Sequence, residues 1–110
     1  MSLYADYIKE RLGDHIIERP EGFAAYRYLN DGKSVYITDI YVVPTYRRSD
    51  LASRMADEIA AIARDQGATE MVGTVNPSAN NATASLGVLL AYGMKLKSCS
   101  NDLIVFTKEI

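Results

Sequence analysis

The chain has no tryptophan, one cysteine, one histidine and three prolines in 110 residues. A lone cysteine excludes an intramolecular disulfide, and with a lone histidine it leaves no Cys/His cluster to hold a metal. Positive charge is not in excess: 12 Lys and Arg face 14 Asp and Glu, for a net charge of −2. A nucleic-acid partner, which calls for a basic surface, is therefore not expected. Long hydrophobic runs are missing too, the longest useful one being Val88 to Tyr92. That is far short of the ~20 apolar residues of a membrane span, so no membrane partner is expected. Met1 to Glu10 lacks the basic head and apolar stretch of a secretory leader. With the unpaired cysteine, this points to a cytoplasmic location. What is present, 48% apolar and 24% charged residues, is the balance of an ordinary globular protein. A chain of this length has room for one core, so a single domain over residues 1–110 is expected.

Periodicity and turn chemistry divide the chain. Leu3, Tyr7 and Ile8 recur at helical spacing, Ser2 stands where it can cap, and Gly13 stands at the stop, which predicts a helix over Leu3 to Leu12. His15 to Glu18 is a short strand, and Arg19-Pro20-Glu21-Gly22 reads as a turn with Pro at the first corner and Gly supplying a positive φ. Phe23 to Leu29 follows as a strand, and Asn30-Asp31-Gly32 is a hairpin signal. Val35 to Val43 is the longest β-type run, nearly continuous in β-branched and aromatic residues, which predicts a central strand covered on both faces. Pro44 stops it, and Ser49 or Asp50 can cap the next helix. Leu51 to Gln66 carries a stripe of Leu51, Met55, Ile59 and Ile62, thickened by alanines. Thr69 to Val75 is a strand, Asn76 to Asn81 a polar loop, Ala82 to Ala91 a helix weakened by Gly87, and Met94 to Ser98 and Leu103 to Lys108 are the last strands. The order αβββαβαββ predicts an α+β fold: a mixed, mostly antiparallel central sheet with packed helices.

The most informative stretch runs from Tyr36 to Met55, where a strand enters a short loop with Arg47 and Arg48 and then a helix. A helix N-terminus presents unpaired N–H groups and partial positive charge, and two arginines beside it add charge-assisted donors for a phosphate. Within this stretch, Ile40-x-Val42-x-Pro44-x-Tyr46-Arg47, followed by a loop and an amphipathic helix, resembles the central motif of the GNAT (Gcn5-related) N-acetyltransferases. That motif typically reads Leu-x-Val-x-Pro-x-x-Arg-Gly-x-Gly-x-Gly/Ala. The resemblance covers Val35 to Gln66 well and the rest more loosely, with Gly93-Met94 standing where the family often has Gly-Phe.

The resemblance implies a GNAT-like acyl-CoA N-acyltransferase fold lacking the usual N-terminal strand and helix, with acetyl-CoA as co-substrate and no metal. Backbone groups of Ile40, Tyr41 and Val42 would meet the pantetheine arm, and Arg47, Arg48, Ser49, Asp50, Leu51, Ala52 and Ser53 the pyrophosphate. Asn81 is the choice among three loop asparagines for a pantetheine amide contact. Arg48 and Asp50 stand where the family has Gly, and Asp50 would bring negative charge toward a diphosphate unless it turns inward to cap the helix; Ala52 fits its small-residue position.

For chemistry, Asp39 on the central strand stands at or beside a position where several family members carry an acidic base. A polar strand residue paired to a cation is its alternative. The family's usual acid is a Tyr in the last helix, four residues before the Gly-Phe pair, and that position is Leu89. Tyr92 is the substitute, although three residues rotate it by ~300° toward a different side of the helix. His15 reads as a half-exposed strand residue and Cys99 as inert packing. Tyr26, Tyr28, Tyr36, Tyr41 and Tyr46 either wall a groove for an amine or peptide or simply fill the core. The expected function is transfer of an acetyl group from acetyl-CoA to a primary amine, on a small molecule or a peptide. The rival is a non-catalytic binding or regulatory module that has lost efficient CoA use. The last strands or an exposed sheet edge offer a route to a homodimer.

Overall fold

The computed structural model describes residues 3–47, 50–78, 82–100 and 102–110. Helix α1 (Leu3–Leu12) leads into strands β1 (His15–Arg19), β2 (Gly22–Leu29) and β3 (Ser34–Val42). A single 3-10 turn, Pro44–Tyr46, precedes α2 (Leu51–Asp65); then come β4 (Glu70–Val75), α3 (Ala82–Ala91), β5 (Lys95–Ser100) and β6 (Leu103–Glu109). The six strands form one sheet in the order β1-β2-β3-β4-β6-β5. Every neighbouring pair is antiparallel except β3 and β4, which run parallel. A parallel neighbour requires a crossover, and α2 supplies it.

The turns follow from their residues. Asn30 and Asp31 adopt φ of 55° and 57° and Gly32 of 85°, the left-handed run that a tight hairpin demands. The Arg19–Gly22 turn differs from expectation. Gly22 does not have a positive φ; it is needed because a Cβ there would collide with the backbone carbonyl of Tyr41 on the neighbouring strand. The requirement is therefore one of tertiary approach and not of local turn conformation.

The stripe read from the sequence of α2 is its buried face. Leu51, Met55, Ile59 and Ala63 join Ala24, Tyr26, Val35, Val42, Met71, Val75 and Phe106 in one apolar cluster. Burying these side chains against the sheet is what holds α2 in place, at roughly 1.5–3 kcal/mol for each large one. Phe23 alternates with Ala24 along β2, so it projects from the opposite face, where its ring meets Tyr4 of α1. Ala5 and Ile8 are buried side chains of that helix.

Strand β3 is central, as expected, but it is covered on both faces only in part. Asp39 and Tyr41 are exposed, because α1 shields the first two strands and leaves the end of the third open. Cys99 likewise is exposed on β5 and not packed in the core.

Candidate active site

The parallel ladder between β3 and β4 joins Ser34 to Glu70, Val35 to Met71 and Tyr36 to Val72, and no further residues pair. The two strands then diverge. At the base of the fork the hydroxyls of Tyr36 and Thr74 share a hydrogen bond of 2.8 Å. Above it opens a cleft of about 690 Å³, walled by Ile37 through Val42 on one side and by Val72, Gly73 and Thr74 on the other. Ala52, Ser53 and Ala56 of α2 and Val88, Leu89 and Tyr92 at the end of α3 close its helical side. Along Ile37 to Val42, the backbone groups that point away from β2 have no strand to pair with, so the cleft wall is a row of donors and acceptors.

A β-bulge re-aims this wall. Ala25 of β2 pairs with Asp39 and Tyr26 pairs with Ile37, so Thr38 is the extra residue. Its hydroxyl donates to Oδ2 of Asp14 at 3.2 Å, and Oδ1 of Asp14 lies 2.6 Å from Nε of Arg27. Asp14 is 3% exposed, a buried carboxylate held by one cation and one hydroxyl. Neither the bulge nor Asp14 was foreseen. In a near-continuous β-branched and aromatic run, one inserted residue leaves no break in the pattern.

Of the residues singled out in the sequence, Asp39, Ile40, Tyr41, Val42, Arg47, Ala52, Ser53 and Tyr92 all line this one cleft. Asp39 is exposed and, among the described residues, has no ion-pair partner. The side chain of Arg47 folds back over the strand. Its Nε donates to the carbonyl of Val42 at 2.9 Å and its guanidinium lies 5.6 Å from the centre of the Tyr41 ring. Leu51 is buried in the core beneath the helix start. Ala52 and Ser53 precede the first intrahelical bond, from Arg54 N to Asp50 O, so their N–H groups belong to the free turn of the helix N-terminus.

Asp50 occupies the N-cap position of α2 but makes no side-chain capping bond. Its carboxylate turns outward to Nε of Arg54 at 3.0 Å, one helical turn on. The charge-charge attraction wins because an exposed Arg at i+4 is within reach while the N-cap backbone, at φ −88° and ψ 16°, is not in the extended conformation of a side-chain cap. Arg48, Ser49 and Asn81, and the cap candidate Ser2, lie outside the described residues.

Leu89 and Tyr92 both face the cleft, in contrast to the expected separation. A rotation of ~300° is only 60° short of a full turn, so residues three apart are neighbours on a helix surface. Tyr92 donates its hydroxyl to Oδ1 of Asp57 at 2.6 Å. Burial, then this bond, then the Asp57 charge push its pKa up, against an opposing pull from Arg64. Nζ of Lys108 sits 4.1 Å from the centre of the ring and donates to the Tyr92 carbonyl. Leu89 stacks over Gly73, where an added Cβ would lie 3.2 Å from its methyl group. His15 stacks on Tyr26, half-buried as expected. Asn76 accepts a hydrogen bond from the Ser78 N–H, the local role of a turn former.

The chain belongs to the GNAT acetyltransferase family, whose model matches residues 8–87. Similar solved structures include a GNAT-family protein from Desulfovibrio desulfuricans, with a TM-score of 0.78 and 16% identity over 94% of this chain and 75% of that one. A GNAT acetyltransferase from Elizabethkingia anophelis with acetyl-CoA bound has a TM-score of 0.74 and 14% identity, over 96% and 82% of the two chains. The PaiA N-acetyltransferase of Thermoplasma acidophilum, in complex with coenzyme A, has a TM-score of 0.76 and 14% identity, over 98% and 69%. Among curated proteins no sequence matches. No helix among the described residues is long and apolar enough to cross a membrane.

Proposed function

We propose that this protein transfers an acetyl group from acetyl-CoA to a primary amine by direct attack. The observation that carries this reading is the unpaired edge of β3, opening beside the N-terminus of α2 inside one cleft. Such an edge can hydrogen-bond the amide-rich pantetheine arm as an extra strand would, and the helix start suits a diphosphate. The Elizabethkingia and Thermoplasma structures, with acetyl-CoA and coenzyme A, support a CoA-type ligand.

The residues present fit that ligand. Ala52 and Ser53, in the first turn of α2, line the cleft together with the cationic Arg47. Small side chains at Ala52 and Ala56 leave the helix backbone approachable. Acetyl-CoA supplies a thioester whose C–S bond breaks as the C–N bond to the amine forms, the thiolate leaving with a proton. Backbone N–H groups of the Ile37–Val42 edge polarise the carbonyl, as oxyanion donors do. Asp39, exposed at the cleft wall and without an ion-pair partner among the described residues, takes the ammonium proton directly or through water. Tyr92 keeps its own proton, but its hydroxyl is directed at Asp57. It is therefore a poor donor to the thiolate unless that bond opens.

Leu89 favours a second reading, a binding or regulatory module, since no hydroxyl stands there to serve as acid. Calorimetric titration with acetyl-CoA, followed by thiol release in the presence of amines, separates the readings. Micromolar binding with turnover supports the enzyme. Binding without turnover across a broad amine panel supports the module, and no heat at millimolar CoA ends the enzyme reading and leaves the module that has lost CoA use.

A further inference from the structure

An aromatic row leaves the cleft at Tyr41 and crosses the sheet onto α1. The Tyr41 and Phe23 rings are stacked with centroids 5.8 Å apart, on directly paired residues of β3 and β2. The Phe23 ring then meets that of Tyr4 edge-on, again at 5.8 Å. The two ends of the row are open to solvent, Tyr41 at 42% and Tyr4 at 51% exposure, and Phe23 between them is half-buried. Three aromatic rings spanning three elements, with this much surface left uncovered, form more than a core packing contact.

Its chemistry is directional. Asp39 lies two residues before Tyr41, on the same face of the strand and roughly 7 Å along it. It pairs across to Ala25, which is buried, so the exposed carboxylate is reached from the cleft side of β3 and not from over β2. A carboxylate with no ion-pair partner among the described residues thus stands at the cleft end of an apolar ledge. The guanidinium of Arg47 already lies against the Tyr41 ring, so that end of the row does not offer a second cation site. We infer that the acceptor is a primary amine carrying an apolar, aromatic-type arm, its ammonium held at Asp39 and its arm laid along Tyr41, Phe23 and Tyr4. This rests on the acetyl-transfer reading above, in which Asp39 is the base.

The test compares 2-phenylethylamine, ethanolamine and spermidine as acceptors by thiol release at saturating acetyl-CoA. The expected result is a kcat/KM for 2-phenylethylamine about tenfold or more above the other two. Phe23→Leu and the exposed Tyr4→Ala, each verified as folded by circular dichroism, should raise its KM about three- to tenfold, the loss of one aromatic contact, and leave the KM of ethanolamine unchanged. Equal or better use of ethanolamine or spermidine overturns the inference, as does an unchanged KM in both variants.

If no amine turns over, 2-phenylethylamine is titrated into CoA-saturated protein. Binding that weakens in Phe23→Leu supports the ledge, and absence of binding overturns it while the CoA heat leaves the cofactor reading standing. If CoA itself gives no heat, the acetyl-transfer reading has failed and the inference falls with it.

Discussion

Thr38, the bulged residue of β3, donates its hydroxyl to the buried carboxylate of Asp14, which also faces Nε of Arg27 at 2.6 Å. One side chain from the turn after α1 thereby ties β2 to the kink in β3 that forms the cleft wall. A buried carboxylate is costly unless its oxygens are met; Oδ2 accepts the Thr38 hydroxyl, while Oδ1 faces Arg27 as a charge contact without a hydrogen bond, so the bulge bond and the charge pair divide that task.

Asp14→Ala is expected to lower stability by about 2–3 kcal/mol, less than a fully buried pair because Arg27 retains access to water. It also frees Thr38, so the KM for acetyl-CoA should rise. Thermal unfolding and thiol-release kinetics report the two effects separately. A variant with unchanged melting temperature would show that the bulge is held by the strands alone.

Asp50 places a negative charge at the start of α2, balanced by an exposed Arg54. Asp50→Gly should tighten CoA binding about three- to tenfold at low salt, and the gain should shrink as salt screens the exposed charges. Calorimetry at two ionic strengths measures both parts. Equal affinity for the two proteins at low salt would place the diphosphate elsewhere.

Leu89→Tyr sets a phenol over Gly73 on the cleft floor. If loss of the leaving thiolate limits the rate, this variant should raise kcat about tenfold or more, with the KM for acetyl-CoA nearly unchanged. A kcat equal to that of the parent protein would show that proton donation is not limiting.

Tyr92 has its pKa raised in the folded state by burial, by its bond to Asp57 and by the charge of that residue. The folded protein therefore holds this proton more tightly than the unfolded chain does. The stability so gained is complete below the unfolded value near pH 10 and is lost as pH climbs above it. Melting temperatures from about pH 8 to pH 11 should fall more steeply for the parent than for Tyr92→Phe, which has nothing to ionise there. Parallel curves would show that the hydroxyl is not held as the geometry implies.

The local elements were legible because each has a short-range cause. The apolar stripe of Leu51, Met55 and Ile59 selects a helix, Asn30-Asp31-Gly32 selects a left-handed hairpin turn, and Pro44 ends a strand it cannot continue. The cleft residues from Asp39 to Ser53 were legible through the motif they share with a known family, and the cleft brings most of the described ones together. Legibility failed where the deciding contact is long-range. Gly22 answers to the Tyr41 carbonyl and Tyr92 to Asp57 across 35 residues, whereas Asp50 turned on a local competition, its i+4 partner Arg54 against its own backbone.

The paucity of cysteine, histidine and basic charge, together with the order of helices and strands, was determined by the sequence alone, since composition and periodicity act residue by residue. Only the tertiary structure decided that β3 and β4 part after Tyr36 and Val72, that Thr38 bulges onto Asp14, and that an aromatic row leads out of the opening. Those features arise where the summed packing of α1, α2 and α3 on a twisted sheet leaves a ladder unfinished. No local pattern encodes where a ladder stops, because the stop is a compromise among contacts far apart in the chain.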